Sequence, residues 1–259
     1  METWRLLVDP AAAGARNMAI DQAMAEAVQR GDAPPTLRFY SWRPRALSLG
    51  YHQPLHLVDR SLARQRGIDV VRRITGGAAL LHSDELTYAI AVPRRHRLVR
   101  GGVRASYAAL TQGLAAGLEA LGLAPEAGAP AHAAEETLPS LCFWSPSGHE
   151  LWVAEHKMVA SAQGRVHGGV LQHGSLVMSH DLDLHPLTRT TAPNACPPGL
   201  RDVLPQPTTI GELVQTLTQG VAERLRIAPQ PGALSPAERN RSDELVKVRY
   251  AHDAWLARC

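Results

Sequence analysis

Between positions 141 and 178 three runs of strand-forming residues, 150–153, 158–162 and 170–178, follow one another across short polar or glycine-rich breaks. Breaks of that length hold turns and no helix, so the stretch predicts neighbouring strands of one sheet. It also holds Lys157, one of only two lysines (with Lys247) among 27 Lys and Arg residues. Arginine is planar and keeps its proton, whereas lysine is a compact charge that titrates when desolvated. Lysine beside Met158-Val159-Ala160-Ser161-Ala162 therefore has two readings. Either the position needs an ammonium or a proton shuttle, or an arginine-biased genome has drifted there.

Around this stretch the periodicity predicts both element types. Residues 4–8 read as a strand, and 15–29 as an amphipathic helix ended by Gly31. Residues 36–42 and 46–51 read as two strands joined by Arg43-Pro44-Arg45 in a hairpin-like turn. A short helix over 57–66 closed by Gly67, a strand over 69–73, and strands over 79–81 and 86–92 follow. Residues 105–121, rich in Ala and Leu, predict a long helix, and 125–140 a loop. Residues 188–207 read as an irregular connection. A helix capped by Thr208 or Thr209 covers 209–225, and one or two short helices cover 236–256. Helices interspersed with hairpins predict an α+β fold around a mixed sheet, as a single domain over 1–259.

With 45% hydrophobic residues the chain can build an ordinary core. No run approaches the roughly 18 apolar residues that span a bilayer, and the N-terminus lacks a basic-then-apolar signal. Three widely spaced cysteines, Cys142, Cys196 and Cys259, form neither a disulfide framework nor a zinc site, so a reducing cytoplasm is expected. Net charge is +3. Arginines cluster at Arg94-Arg95-His96-Arg97 and Arg100; the run reads as a solvated loop or as a surface for an acidic partner. Aromatic residues are few and do not interleave with it, which argues against nucleic acid.

Three motifs carry chemistry. Arg72-Arg73-Ile74-Thr75-Gly76-Gly77 puts paired arginines before two glycines and His82 after them, which suits either a tight turn or close approach to a phosphate or carboxylate. Gln172-His173-Gly174 has the same character, with His173 either facing a cleft or bonded within a strand. His180, Asp181, Asp183 and His185 read as turn capping rather than as a metal site, so no metal is expected. Cys142 is either an inert buried thiol or, with Lys157 as the nearby cation across a strand turn, a reactive thiolate.

Taken in order, NMAIDQAM, RFYSWRP with SLGYHQP, RRITGGAALLH followed by ELTYAI, HKMVASAQGR and LQHGSLVM resemble the lipoate-protein ligase A family, and within it the ligase-like octanoyltransferases. The resemblance runs from about Asn17 to about Met178. It implies a biotin/lipoate-ligase-like domain; bacterial ligases of the family usually carry an extra C-terminal domain, and at 259 residues no separate accessory C-terminal domain is expected here. It also implies acyl transfer to a lysine of a lipoyl domain or of the glycine-cleavage H protein. On these motifs Lys157 contacts the acyl carbonyl, and Arg73, Thr75, Gly76, Gly77 and His82 line the acyl tunnel. Gln172, His173 and Gly174 join them as substrate-binding candidates. Cys142-Phe143, ahead of Pro146-Ser147 and Glu150-Leu151, matches the nucleophile pattern of the transferase branch, with acyl carrier protein as donor and no cofactor. Departures from the pattern are Ala78, Ser83, His149 and Glu155-His156. Two alternatives accompany this reading: an ATP- and Mg-dependent ligase in which Cys142 is a bystander, and a non-catalytic subunit that binds an acylated domain.

Overall fold

The computed structural model describes residues 1–128, 150–180, 187–188 and 197–258. In chain order the strands and helices are β1 (Glu2–Val8), α1 (Gly14–Arg30), β2 (Thr36–Tyr40), β3 (Ala46–Leu49), α2 (Arg60–Gln65), β4 (Asp69–Arg72), β5 (Leu80–His82) and β6 (Glu85–Val92). They continue with α3 (Gly102–Ala120), β7 (Glu126–Ala127), β8 (Leu151–Val153), β9 (His156–Val166) and β10 (Gly169–Val177). The last are α4 (Leu200–Val203), α5 (Ile210–Leu225), β11 (Ile227–Pro231), α6 (Pro236–Leu245) and α7 (Asp253–Leu256).

Eight strands make a mixed sheet in the order β11-β1-β2-β6-β10-β9-β8-β7; β4-β3-β5 form a second, three-stranded sheet. In the large sheet β1 runs parallel to both β11 and β2, and the pairs from β2 to β7 are antiparallel. One face packs on α3 and α5 through Leu37, Phe39, Ile90, Leu110, Leu114 and Leu217. The other face packs on α1, through Met18, Met24, Tyr40, Ala89 and Leu171, with Leu245 of α6 in the same cluster. The result is the α+β arrangement of a mixed sheet between helices that the sequence predicts.

Local chemistry explains the termini. Gly31 ends α1 with φ 84°, a left-handed conformation that costs glycine little, and its N–H returns to the Ala27 and Val28 carbonyls. Thr209 starts α5 with a reciprocal cap to Glu212, which fixes the choice between the two threonines. Helices α3 and α5 cross closely at Gly117 and Gly220: a Cβ on Gly117 would stand 2.8 Å from Leu217 Cα.

Two expectations change. The runs around Arg43-Pro44-Arg45 are no hairpin, because β2 belongs to the large sheet and β3 pairs with β4 and β5 in the small one. The strand β11, which contains Pro229 and Pro231, escaped the sequence reading; it lies at the sheet edge, where a missing N–H costs no ladder bond. No described helix is long and apolar enough to cross a membrane.

Both turns in the stretch from β8 to β10 are two-residue connections. His167 and Gly168 have φ 47° and 92°, and Ala154 and Glu155 have φ 47° and 67°. Positive φ at both positions suits the twist of a hairpin, but a side chain there is strained by roughly 1–2 kcal/mol per residue. Replacing Glu155→Gly should therefore raise unfolding stability by about 1 kcal/mol in urea titrations; an unchanged or lower midpoint contradicts this strain argument.

Candidate active site

A cavity of about 270 Å³ opens on the α1 face of the large sheet. Its walls come from β9 and β10 (Lys157, Ala160, Ala162, His173, Ser175), from Arg73, Gly77 and Ala78 before β5, and from Leu80 and His82 within it. Met18, Tyr40, Trp42 and Thr87 close its far end. Apolar surface predominates, with a few polar groups converging on it, the usual composition of a small-molecule site.

Lys157 sits in this wall, 3% exposed, with Nζ 2.6 Å from Glu150 Oε2. A buried cation needs such a partner, since an uncompensated charge away from water is expensive. The β8–β9 hairpin makes the contact: Trp152 pairs with Lys157, and a register shift between Leu151 and Trp152 re-aims the strand that follows Glu150.

Two chains of hydrogen bonds brace the walls. In the first, Thr75 Oγ1 lies 2.6 Å from His173 Nε2, and His173 Nδ1 lies 2.9 Å from Asp21 Oδ2. Asp21 also accepts from Arg38 (2.7 Å) and from the Tyr40 hydroxyl (2.8 Å). Burial pulls the Asp21 carboxyl upward, but the His173 hydrogen bond and the Arg38 charge outweigh it and hold the group below its ordinary value. In the second chain Ser48 Oγ is 2.7 Å from His82 Nε2, and His82 Nδ1 is 2.7 Å from Glu85 Oε1. Burial, against the opposing pull of Glu85, pushes His82 below its ordinary value of 6.5, so the imidazole that lines the cavity is neutral at pH 7. Arg73 completes this bracing by donating to Ser48 Oγ (2.6 Å) and to the Gly76 and Ala78 carbonyls (3.0 Å each).

The predicted site residues sort by position. Lys157, Arg73, Gly77, His82, His173 and Gly174 line the cavity. Thr75 reaches it only through His173, and Thr75 and Gly76 line a neighbouring polar groove with Arg165, Arg249 and Arg258. Gly77 is required by geometry: its φ is 94°, and its carbonyl presses so closely on Gly50 that a Cβ there would collide with it. Gln172 is a correction. It points to the opposite face, where its amide donates to the Tyr88 hydroxyl (3.1 Å) and to Thr111 (3.3 Å) under α3. Neighbouring strand positions face opposite sides, so with His173 in the cavity Gln172 cannot be. Cys142 lies outside the described residues, as do Asp181, Asp183 and His185. Among the described residues no three potential ligands gather as a metal site. The basic segment from Arg94 follows Val92 at the sheet end that pairs with Val170 and Arg165, about 25 Å along β9 from Lys157.

Asp21, Met18, Tyr40 and Trp42 were not singled out from the sequence as site residues, and Glu150 entered only as part of the Glu150-Leu151 pair of the nucleophile pattern. For Asp21 a signal existed: it falls three residues after Met18 and three before Met24, on the apolar stripe of α1.

The architecture is that of a known class. A solved lipoate-protein ligase A bound with ATP superposes with a TM-score of 0.84 over 99% of each chain at 23% identity. A bi-partite lipoate protein ligase with its E2 lipoyl domain from Thermoplasma acidophilum gives 0.80 over 99% of this chain and 97% of that one, at 21% identity. Residues 13–222 match the family model of the lipoyl protein ligase A/B catalytic domain, and the chain belongs to this family. Octanoyltransferase LipM of Moorella thermoacetica is 38% identical over 272 residues, covering 99% of this chain and 98% of that protein.

The Asp21 network makes a stability prediction. A carboxyl held below its ordinary value of 3.8 stabilises the fold above that pH and loses the contribution as pH falls through the lower, folded-state value. Asp21→Asn should lower stability at pH 7 by about 2 kcal/mol or more, because it removes one of the two carboxylates that pair with buried Arg38, Asp9 being the other, and weakens the bonds to Tyr40 and His173; it should also flatten the acid limb of a stability-versus-pH curve. A variant as stable as wild type at pH 7 contradicts the assignment.

Proposed function

We infer that the chain is an octanoyltransferase of protein lipoylation. It moves an octanoyl group from acyl carrier protein to a lysine of a lipoyl domain or of the glycine-cleavage H protein, through a thioester on Cys142. The observation that carries the reading is a mainly apolar cavity with one buried, paired ammonium in its wall. Full-length relatives that are octanoyltransferases support the activity.

The chemistry needs no ATP. The Cys142 thiolate attacks the donor's thioester carbonyl, its new C–S bond replaces the donor's, and the donor thiol leaves with a proton. The acceptor lysine, as free amine, then attacks the Cys142 thioester. An amide forms, the C–S bond breaks, and the amine's proton returns to the cysteine sulfur. Both steps pass through an oxyanion, and Lys157 Nζ is the group that stabilises it. Glu150, 2.6 Å from Nζ, compensates the buried charge and holds the ammonium in position. The cavity holds the acyl tail, and burying its seven apolar carbons at about 0.8 kcal/mol each contributes roughly 6 kcal/mol to binding.

The test is transfer from octanoyl-acyl carrier protein to a lipoyl domain without ATP. Wild type should give the octanoylated domain; product only when ATP and free octanoate are added would replace this reading with a ligase. Lys157→Met should reduce kcat by about 100-fold or more while the protein stays folded, and wild-type turnover would remove Lys157 from the chemistry.

Glu150→Gln supplies a finer check. It should lower kcat more than it raises KM, since it removes the partner that positions the Lys157 ammonium at the reacting carbonyl. A loss confined to KM would make Glu150 part of the binding surface instead.

A further inference from the structure

The geometry points to Met18 as the residue that sets the longest acyl chain the cavity accepts, an inference that rests on the acyl occupant assigned above. Lys157 on β9 and Tyr40 on β2 stand at opposite sides of the cavity, three strand spacings apart and three residues offset along β9 from Ala160, which is level with Tyr40, about 17 Å in all. An acyl chain whose carbonyl is at Lys157 therefore ends against the wall made by Tyr40, Trp42 and Met18.

Two of these three side chains are fixed. The Tyr40 hydroxyl is bonded to Asp21, and the Arg38 guanidinium lies 3.9 Å over its ring. Trp42 donates through Nε1 to Thr87 at 2.7 Å and stacks on His82 at 3.8 Å with an interplanar angle of 16°. Moving either ring to admit a longer chain breaks a buried hydrogen bond. Met18 has no such tether. It is a buried, unbranched thioether with several rotatable bonds, the side chain best able to fill an irregular end of a cavity. The helix that carries it is held from behind, because Asp21, one turn further along α1, is locked to Arg38, Tyr40 and His173. The backbone at Met18 thus stays in place, and the reach of its side chain decides where the cavity stops.

The experiment is calorimetric titration of saturated fatty acids, hexanoate to dodecanoate, into wild type, Met18→Ala and Met18→Phe. Wild-type affinity should climb about fourfold per added methylene up to octanoate and then fall. Met18→Ala should move the optimum to about decanoate, since three heavy atoms leave the end wall, and Met18→Phe should move it below octanoate. One shared optimum for all three proteins, or a wild-type affinity that climbs unbroken to dodecanoate, overturns the proposal. Met18→Phe and the wild-type series keep the test intact if Met18→Ala does not fold. Fatty-acid binding needs no turnover, so these outcomes are separate from the transfer assay. A shifting optimum without acyl transfer defeats the transferase reading alone, and transfer with an unmoved optimum defeats this one alone.

Discussion

Most of what surrounds the cavity depends on one buried carboxylate. Asp21 receives Arg38, Tyr40 and His173, which belong to β2 and β10, while Asp21 itself belongs to α1. Through His173 the same group holds Thr75, and so the loop that carries Gly76 and Gly77. A buried charge is costly unless every partner is in place, which makes such a cluster all-or-none: the helix, two strands and the glycine loop occupy one relative arrangement. Apolar packing alone would leave α1 free to slide on the sheet, because methionine and alanine contacts lack direction.

The reacting end is built on a different principle. Lys157 and Glu150 face each other because the β8–β9 hairpin has a two-residue turn with both residues left-handed, and because the pairing shifts register just after Glu150. Strain in Ala154 and Glu155 is thereby exchanged for the position of one ammonium. The neutral His82, stacked on Trp42, adds no charge to its part of the wall, and the Arg73 guanidinium is taken up by Ser48 and the Gly76 and Ala78 carbonyls.

Much of this was legible in the residues. Helix α1 showed its period and its Gly31 stop, Thr209 showed its cap, and Lys157 stood out among arginines. What stayed hidden has common causes. Every residue of β10 is buried because both faces of the sheet are covered, so no alternation told His173 from Gln172. β2 and β3 lie close in sequence yet belong to separate sheets, a long-range choice that local patterning does not encode. Glu150 reads in the sequence only as the start of a strand and part of a Glu-Leu pair, because its partner Lys157 is seven residues away across a turn. Met18, Tyr40 and Trp42 resembled ordinary core residues, and only the assembled α1, β2 and β6 make them an end wall.

The central claim is that acyl transfer passes through a thioester on this chain, and mass spectrometry of the intact protein tests it most directly. After brief incubation with octanoyl-acyl carrier protein and no ATP, wild type should gain one octanoyl group that hydroxylamine removes, and Cys142→Ala should gain none. An unmodified wild type that nonetheless acylates a lipoyl domain once ATP and free octanoate are supplied would contradict the account and return Cys142 to the role of a bystander.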